Sequence, residues 1–280
     1  MIIDYLGEKC KLKVVKKVDF GYYLGDEEDK VLLPINDAKI LNAQGLSTGE
    51  EVEVFIYKDS EDRIIATSHT PKIIRGTVAR LNVVSTGKIG AFLDWGLPKD
   101  LMLPFREQTK KVDIGDTVPV ALYVDKTGRL CATMKIYHYL ESDSPYKRDE
   151  HVTGTIYEIS ERFGAFVVID DKYSALIPVK EGIRGLKVLD VVNARIAFVH
   201  PDGKLDLSVR KKAFMQMNDD ADVIVERMQS LDGRLPFTDK ASADRIKEEF
   251  GFSKNAFKRA IGHLLKENKI KIYENYIELL

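Results

Sequence analysis

Phe163-Gly164-Ala165-Phe166-Val167, then Leu176-Ile177-Pro178, then Leu189-Asp190-Val191-Val192-Asn193-Ala194 decide the fold, because the chain repeats this punctuation three times. The preceding copy reads Ile89-Gly90-Ala91-Phe92-Leu93, Met102-Leu103-Pro104 and Gly115-Asp116-Thr117-Val118-Pro119-Val120. The first reads Phe20-Gly21-Tyr22-Tyr23-Leu24, Leu32-Leu33-Pro34 and Gly49-Glu50-Glu51-Val52-Glu53-Val54-Phe55. Each closes on a polar turn and a further strand: Arg63 to Thr67, Arg129 to Thr133, and Lys204 to Ser208. The central glycines lie 69 and 74 residues apart, and agreement at three points in order defines an internal repeat. Short runs rich in Val, Ile, Tyr and Phe between turn residues are strand signals. A unit of roughly 70 residues suits one small five-stranded barrel or sandwich.

Residues at i and i+3 of a regular strand point to opposite faces. The glycine between the two rings is expected to permit a bulge that brings both to one face. Neighbouring exposed rings form a stacking platform for unpaired bases, worth about 1–3 kcal/mol per base. The rival reading makes the rings barrel core. Recurrence beside Gly in every copy, with a basic residue at a fixed later position, favours the platform.

On these residues the three units resemble S1 RNA-binding domains, a branch of the oligonucleotide-binding fold. The resemblance implies that the two rings of the F-G-x-F core and an Asp-x-x-x-Arg pair near the last strands face nucleic acid. The rings are Phe20 and Tyr23 in the first unit, Phe92 alone in the second, where Ile89 replaces a ring, and Phe163 and Phe166 in the third. The pair is Asp59/Arg63, then Asp125/Arg129, and departs to His200/Lys204 in the third. A histidine common in the family after the third strand is proline here, at Pro34, Pro104 and Pro178. The first unit has Lys11-Leu12-Lys13 in place of the usual opening Gly-x-Val and carries the acidic run Asp26 to Asp29. The second adds Lys72, Arg75, Arg80 and Lys88, and its first loop, Asn82 to Lys88, reads about four residues longer. Arg162 stands beside the rings of the third. Units two and three are the expected RNA surface.

After residue 219 the periodicity turns helical. Asp222 to Leu231 predicts a short amphipathic helix, broken by Gly233 to Phe237. Thr238 or Asp239 is the expected cap of a second helix with Ile246 and Phe250 inward, and Ser253 caps a third. That third helix has Phe257, Ala260, Ile261, Leu264 and Leu265 as its buried stripe. Lys269–Tyr273 and Tyr276–Leu279 read as a hairpin. Three helices and a hairpin make a winged helix-turn-helix. Asn255, Arg259, Gly262 and Lys266 line the opposite face of the third helix, open to nucleic acid or simply solvated.

The fold class is therefore mainly β with a small α+β C-terminal domain, divided as 1–68, 69–141, 146–214 and 219–280. Short linkers near Thr70-Pro71, Ser142 to Pro145 and Met215 to Asp219 predict semi-rigid packing. This order of modules resembles the conserved virulence factor B (CvfB, YitL-like) family, which implies an RNA-binding, post-transcriptional regulator.

The 280 residues carry 44% apolar and 31% charged residues, with a net charge of −1. That average conceals an asymmetry: residues 1–68 hold 9 Lys/Arg against 14 Asp/Glu, whereas 69–140 hold 11 against 6. Local potential decides where a polyanion docks. No apolar run approaches a membrane span and no signal pattern opens the chain, which predicts a cytoplasmic protein without membrane contact. Cys10 and Cys131 read as buried thiols in a reducing compartment. The five histidines are not spaced as metal ligands, and no P-loop, nucleophile elbow or Cys-x-x-Cys occurs. The acidic run Asp26 to Asp29 reads as a solvated hairpin, and Trp95, in Asp94 to Pro98, as a core anchor. The expectation is a monomer that is no enzyme, takes no cofactor or metal, and binds single-stranded RNA. The rivals are a DNA-binding transcription regulator led by the winged helix and a nuclease accessory subunit.

Overall fold

The computed structural model describes the backbone of residues 1–209 and 213–280, with side chains described over 1–209 and 220–280. It divides into two compact units, Met1–Val209 and Arg210–Leu280. The first unit holds three barrels. Barrel 1 comprises β1 (Lys9–Val18), β2 (Gly21–Gly25), β3 (Lys30–Pro34), α1 (Ile35–Leu41), β4 (Glu51–Lys58) and β5 (Ile64–Thr67). Barrel 2 comprises β6 (Val78–Thr86), β7 (Gly90–Asp94), β8 (Leu101–Pro104), β9 (Thr117–Val124) and β10 (Leu130–Thr133). Barrel 3 comprises β11 (His151–Ser160), β12 (Gly164–Ile169), β13 (Tyr173–Pro178), β14 (Val191–Val199) and β15 (Leu205–Ser208).

Barrels 1 and 3 close in the orders β1-β2-β3-β5-β4 and β11-β12-β13-β15-β14. Closure comes from the parallel pairs Leu32↔Ile65 and Ala175↔Leu205. Barrel 2 keeps the order, but no ladder joins β8 to β10 among the described residues. Inward positions alternate with outward ones, as in β14, where Val192, Ala194 and Ile196 point into the core. The acidic run is the β2–β3 hairpin: Asp26 Oδ1 accepts the N–H groups of Glu28 and Asp29, each at 2.8 Å. Those two bonds hold the Asp26 carboxyl below its ordinary range. The long first loop expected in unit two is not a loop, since β6 runs through Thr86 and only Gly87 to Ile89 lie before β7. The long ladder with β7 and β9 keeps those polar residues in strand.

Each barrel's first strand carries an irregularity, between Val14 and Lys16, Val83 and Ser85, and Ile156 and Glu158. In barrel 3 the extra residue is Tyr157, fully buried in a cluster with Ala121, Ile136 and Val168. Because Ala121 belongs to β9 and Val168 to β12, this cluster joins barrels 2 and 3. Barrels 1 and 2 join at Trp95, whose ring meets Phe55 at 5.8 Å and Tyr57 at 6.4 Å between centroids. Trp95 is thus an anchor, as expected, and it serves two barrels at once. Shared apolar clusters make the packing of the three barrels definite.

The C-terminal unit holds α2 (Ala213–Gln229), β16 (Arg234–Leu235), α3 (Ala243–Phe250), α4 (Lys254–Lys266), β17 (Ile270–Ile272) and β18 (Ile277–Leu279). The helix α2 begins well before Asp222 and includes the expected Met215–Asp219 linker. No Gly or Pro interrupts residues 213–221, so nothing there stops a helix. The expected end of the third unit at residue 214 falls beside 210–212, which lie outside the described residues. The cap of α3 is Ser242, which accepts from Arg245 N–H, and not Thr238 or Asp239; Ser253 caps α4 through Ala256 N–H. Phe257, Ala260, Ile261 and Leu264 are buried, but Leu265 is exposed because it lies one step around the helix from the core. A third strand, β16, pairs with β18 and completes the wing sheet.

Both cysteines are free thiols; Cys131 is buried and Cys10 only half-buried. Burial, with the charge of Glu8, pushes Cys10 up to about 11. Since the thiolate is the reactive form, alkylation of Cys10 at pH 8 should run roughly 100-fold below a free thiol and keep rising with pH. A rate profile against pH with iodoacetamide checks this, and a plateau below pH 9 contradicts it.

Candidate nucleic-acid interface

The glycine of the F-G-x-F core does something other than expected. A Cβ at Gly164 would lie 2.0 Å from the Ile177 carbonyl oxygen, and at Gly21 and Gly90 it would meet Leu33 and Leu103 oxygens at 2.2 Å. Glycine therefore lets the second strand of each barrel press against the third. The first ring sits in the turn just before the strand, not on the strand. Its carbonyl accepts the N–H beyond the third strand, as in Val179 N–H to Phe163 O at 3.3 Å. That placement, without a bulge at the glycine, brings Phe163 and Phe166 together at 6.5 Å between centroids.

The first-ring position is outside the core in all three copies: Phe20 is 58% exposed, Ile89 61% and Phe163 53%. Tyr23, Phe92 and Phe166 are half-buried at one register, opposite Leu32, Met102 and Leu176. Phe166 also packs on the cluster that joins barrels 2 and 3.

Barrel 3 assembles the fullest arrangement. Tyr137 meets Phe166 edge-on at 6.0 Å. Two grooves of 580 and 550 Å³ share Tyr137, Phe163, Phe166 and Leu176 in their walls. Arg162 lies over Phe163 at 5.1 Å, and the Lys204 ammonium lies 6.0 Å from the Tyr137 ring. His200 Nε2 is 3.1 Å from Asp206 Oδ1, and its ring meets Phe198 at 5.0 Å. Asp202, 3.0 Å from the Lys204 ammonium, holds that lysine's pKa above its ordinary value.

Tyr137 was missed because it lies outside the repeated motif, in the Lys135-Ile136-Tyr137-His138-Tyr139 connector. Its aromatic-rich run was the available signal. The connector is fixed at both ends: Ile136 is buried in the inter-barrel cluster, and Glu141 donates to and accepts from β13 neighbours Lys172 and Ser174.

The Asp-x-x-x-Arg pair is the closure of the last hairpin. Asp59 N–H donates to Arg63 O, Asp125 N–H to Arg129 O, and His200 N–H to Lys204 O, at 2.8 to 3.0 Å. Burial pushes the Asp125 carboxyl up, but bonds from the Thr127 hydroxyl and the Arg129 and Thr127 N–H groups outweigh it and hold it low. The aspartate thus orders the turn, and the basic residue stands at its edge. Arg63 pairs with Asp59 and Glu61 within its own turn. Arg80 crosses to Asp171 of barrel 3 at 3.0 Å, so it links two barrels. Arg129 crosses to Asp62 of barrel 1 and holds that carboxyl below its ordinary range. Lys88 and Arg162 have no ion pair among the described residues.

On α4, Asn255, Arg259, Gly262 and Lys266 are all exposed, and nothing lies within 4 Å of a Cβ built at Gly262. Among the described residues no three His, Cys, Asp or Glu side chains are grouped to hold a metal, and no helix is long and apolar enough to cross a membrane.

The three barrels and the wing define a protein of the S1 and winged-helix, nucleic-acid-binding type. An S1 domain model matches residues 6–69 and 75–135, and a CvfB-like winged helix model matches 222–279. The chain belongs to the conserved virulence factor B family. It is 32% identical to YitL of Bacillus subtilis over 273 residues, covering 94% of this chain and 90% of that one. It is 29% identical to conserved virulence factor B of Staphylococcus aureus, covering 99% and 94%. A crystal structure of a multidomain protein with nucleic acid binding domains from Streptococcus pneumoniae shares the fold, with a TM-score of 0.52, 23% identity and 99% of each chain covered.

Proposed function

We propose that the protein is a cytoplasmic, post-transcriptional regulator that binds single-stranded RNA on the ring-lined face of barrel 3. The observation that carries this reading is the cluster of Phe163, Phe166 and Tyr137 between two open grooves, with Arg162 and Lys204 beside it. Bases stack on such rings irrespective of sequence, and the cations hold the backbone. Duplex RNA or DNA keeps its bases paired and offers the rings nothing to stack on. Titration of homopolymer RNA against duplex DNA over a salt series tests the reading. The expected result is preference for single strands, with a log–log slope near −0.7 for each phosphate neutralised. Equal or tighter binding of the duplex overturns it.

The exposed Asn255, Arg259 and Lys266 favour a second reading, in which α4 adds a duplex contact. If so, Arg259→Ala with Lys266→Ala in the full chain weakens duplex DNA binding and leaves single-stranded RNA unaffected.

A further inference from the structure

We infer that Lys99 and Arg129, beside Phe92, form a second phosphate site for single-stranded RNA on barrel 2, which barrel 1 keeps closed with the Asp62 carboxylate. The inference rests on RNA being the ligand class, as proposed above.

The three last-hairpin turns differ at one position. The residue before the closing Arg or Lys is Gly128 in barrel 2 and Gly203 in barrel 3, at φ +74° and +82°. Barrel 1 places Asp62 there, at φ +60°. That left-handed conformation suits glycine, and an aspartate tolerates it at some cost. The side chain gained in exchange leaves its own barrel. Arg129 Nη2 donates to Asp62 Oδ2, and the Lys99 ammonium lies 3.5 Å from Oδ1. The same ammonium donates to the Asp59 carbonyl at 2.7 Å. Two cations thus take the two oxygens of one carboxylate, as they would two oxygens of a phosphodiester.

The surroundings match the site on barrel 3. Phe92 holds the register of Phe166, and Arg129 the hairpin-closing position of Lys204. Lys204 pairs with Asp202 inside its own turn and lies over an aromatic ring at an open groove, whereas Arg129 pairs with Asp62 of the neighbouring barrel. Phe92, Lys99, Arg129 and Asp62 line one cleft of 280 Å³ between barrels 1 and 2. The apolar contacts at Trp95 hold the barrels together independently of Asp62, so opening the site needs only the turn to yield. Asp62 and Lys99 are each 39% exposed and Arg129 58%, and ion pairs so exposed are weak enough for a polyanion to displace.

Asp62→Gly restores the residue that the other two turns use, so it removes the carboxylate and relaxes the backbone. In the full chain it should tighten binding of a single-stranded homopolymer RNA roughly three- to tenfold. The log–log salt slope should steepen by about 1.4, for two released cations. Asp62→Asn should act the same way, and adding Arg129→Gln should cancel the gain. Unchanged affinity and slope in a folded Asp62→Gly chain, or a gain that survives Arg129→Gln, overturns the inference. The same substitution placed in a Tyr137→Ala, Phe163→Ala chain separates the two sites. Binding gained there supports the barrel 2 site even if the barrel 3 reading fails, whereas a chain with both rings intact that binds no RNA with either residue at 62 overturns both.

Discussion

Replacing Tyr137 and Phe163 together by Ala is expected to weaken single-stranded RNA binding by roughly 30-fold or more, with the fold intact. Each ring that stacks a base contributes about 1–3 kcal/mol, and about 1.4 kcal/mol is tenfold in affinity. Tyr137 is 40% and Phe163 53% exposed, so truncating them opens no cavity in the core. Phe166 is a poorer test, because it also packs on Tyr157 at 6.1 Å and supports the junction of barrels 2 and 3. Phe163→Tyr, which keeps the ring, should bind as the parent does. Affinity within twofold of the parent, in a double variant that melts like the parent, would exclude stacking on this face.

Gly164→Ala is expected to destabilise the barrel unit by about 3–5 kcal/mol. Two costs combine: a left-handed φ of +129° for a residue with a Cβ, and a 2.0 Å approach of that Cβ to the Ile177 carbonyl oxygen. The oxygen is backbone in a closed ladder and has no rotamer through which to retreat. The lost stability should appear as a lower midpoint in urea, with RNA binding lost alongside it. A midpoint within the error of the parent would mean that β12 and β13 separate freely, contrary to the tight approach shared by all three barrels.

Much of the fold was legible. Threefold recurrence of Gly, of an aliphatic residue followed by Pro, and of the closing turn exposes a repeat that no single strand signal would establish. The heptad-like stripe Phe257, Ala260, Ile261 and Leu264 marks the third helix of the wing. Boundaries were less legible, as at α2, where residues 213–221 are compatible with both linker and helix, and at Ser242, one of several acceptable caps. The candidate site was legible at Phe163, Phe166 and Arg162, which sit inside the repeat. It was not legible at Tyr137, whose neighbours come from a different barrel.

The repeated glycine, the proline that ends the third strand and the closing turn by themselves determined that three barrels recur, since strand register and glycine's lack of a Cβ are local properties. Only tertiary structure decided which of their faces stands open. A charge has no partner until the chain closes around it: Arg80 finds Asp171 91 residues away, and Arg129 finds Asp62 67 residues away. The basic segment 69–140 therefore spends part of its charge between barrels, while barrel 3 gathers rings and cations from β12, from the turns before β12 and β15, and from the connector that carries Tyr137.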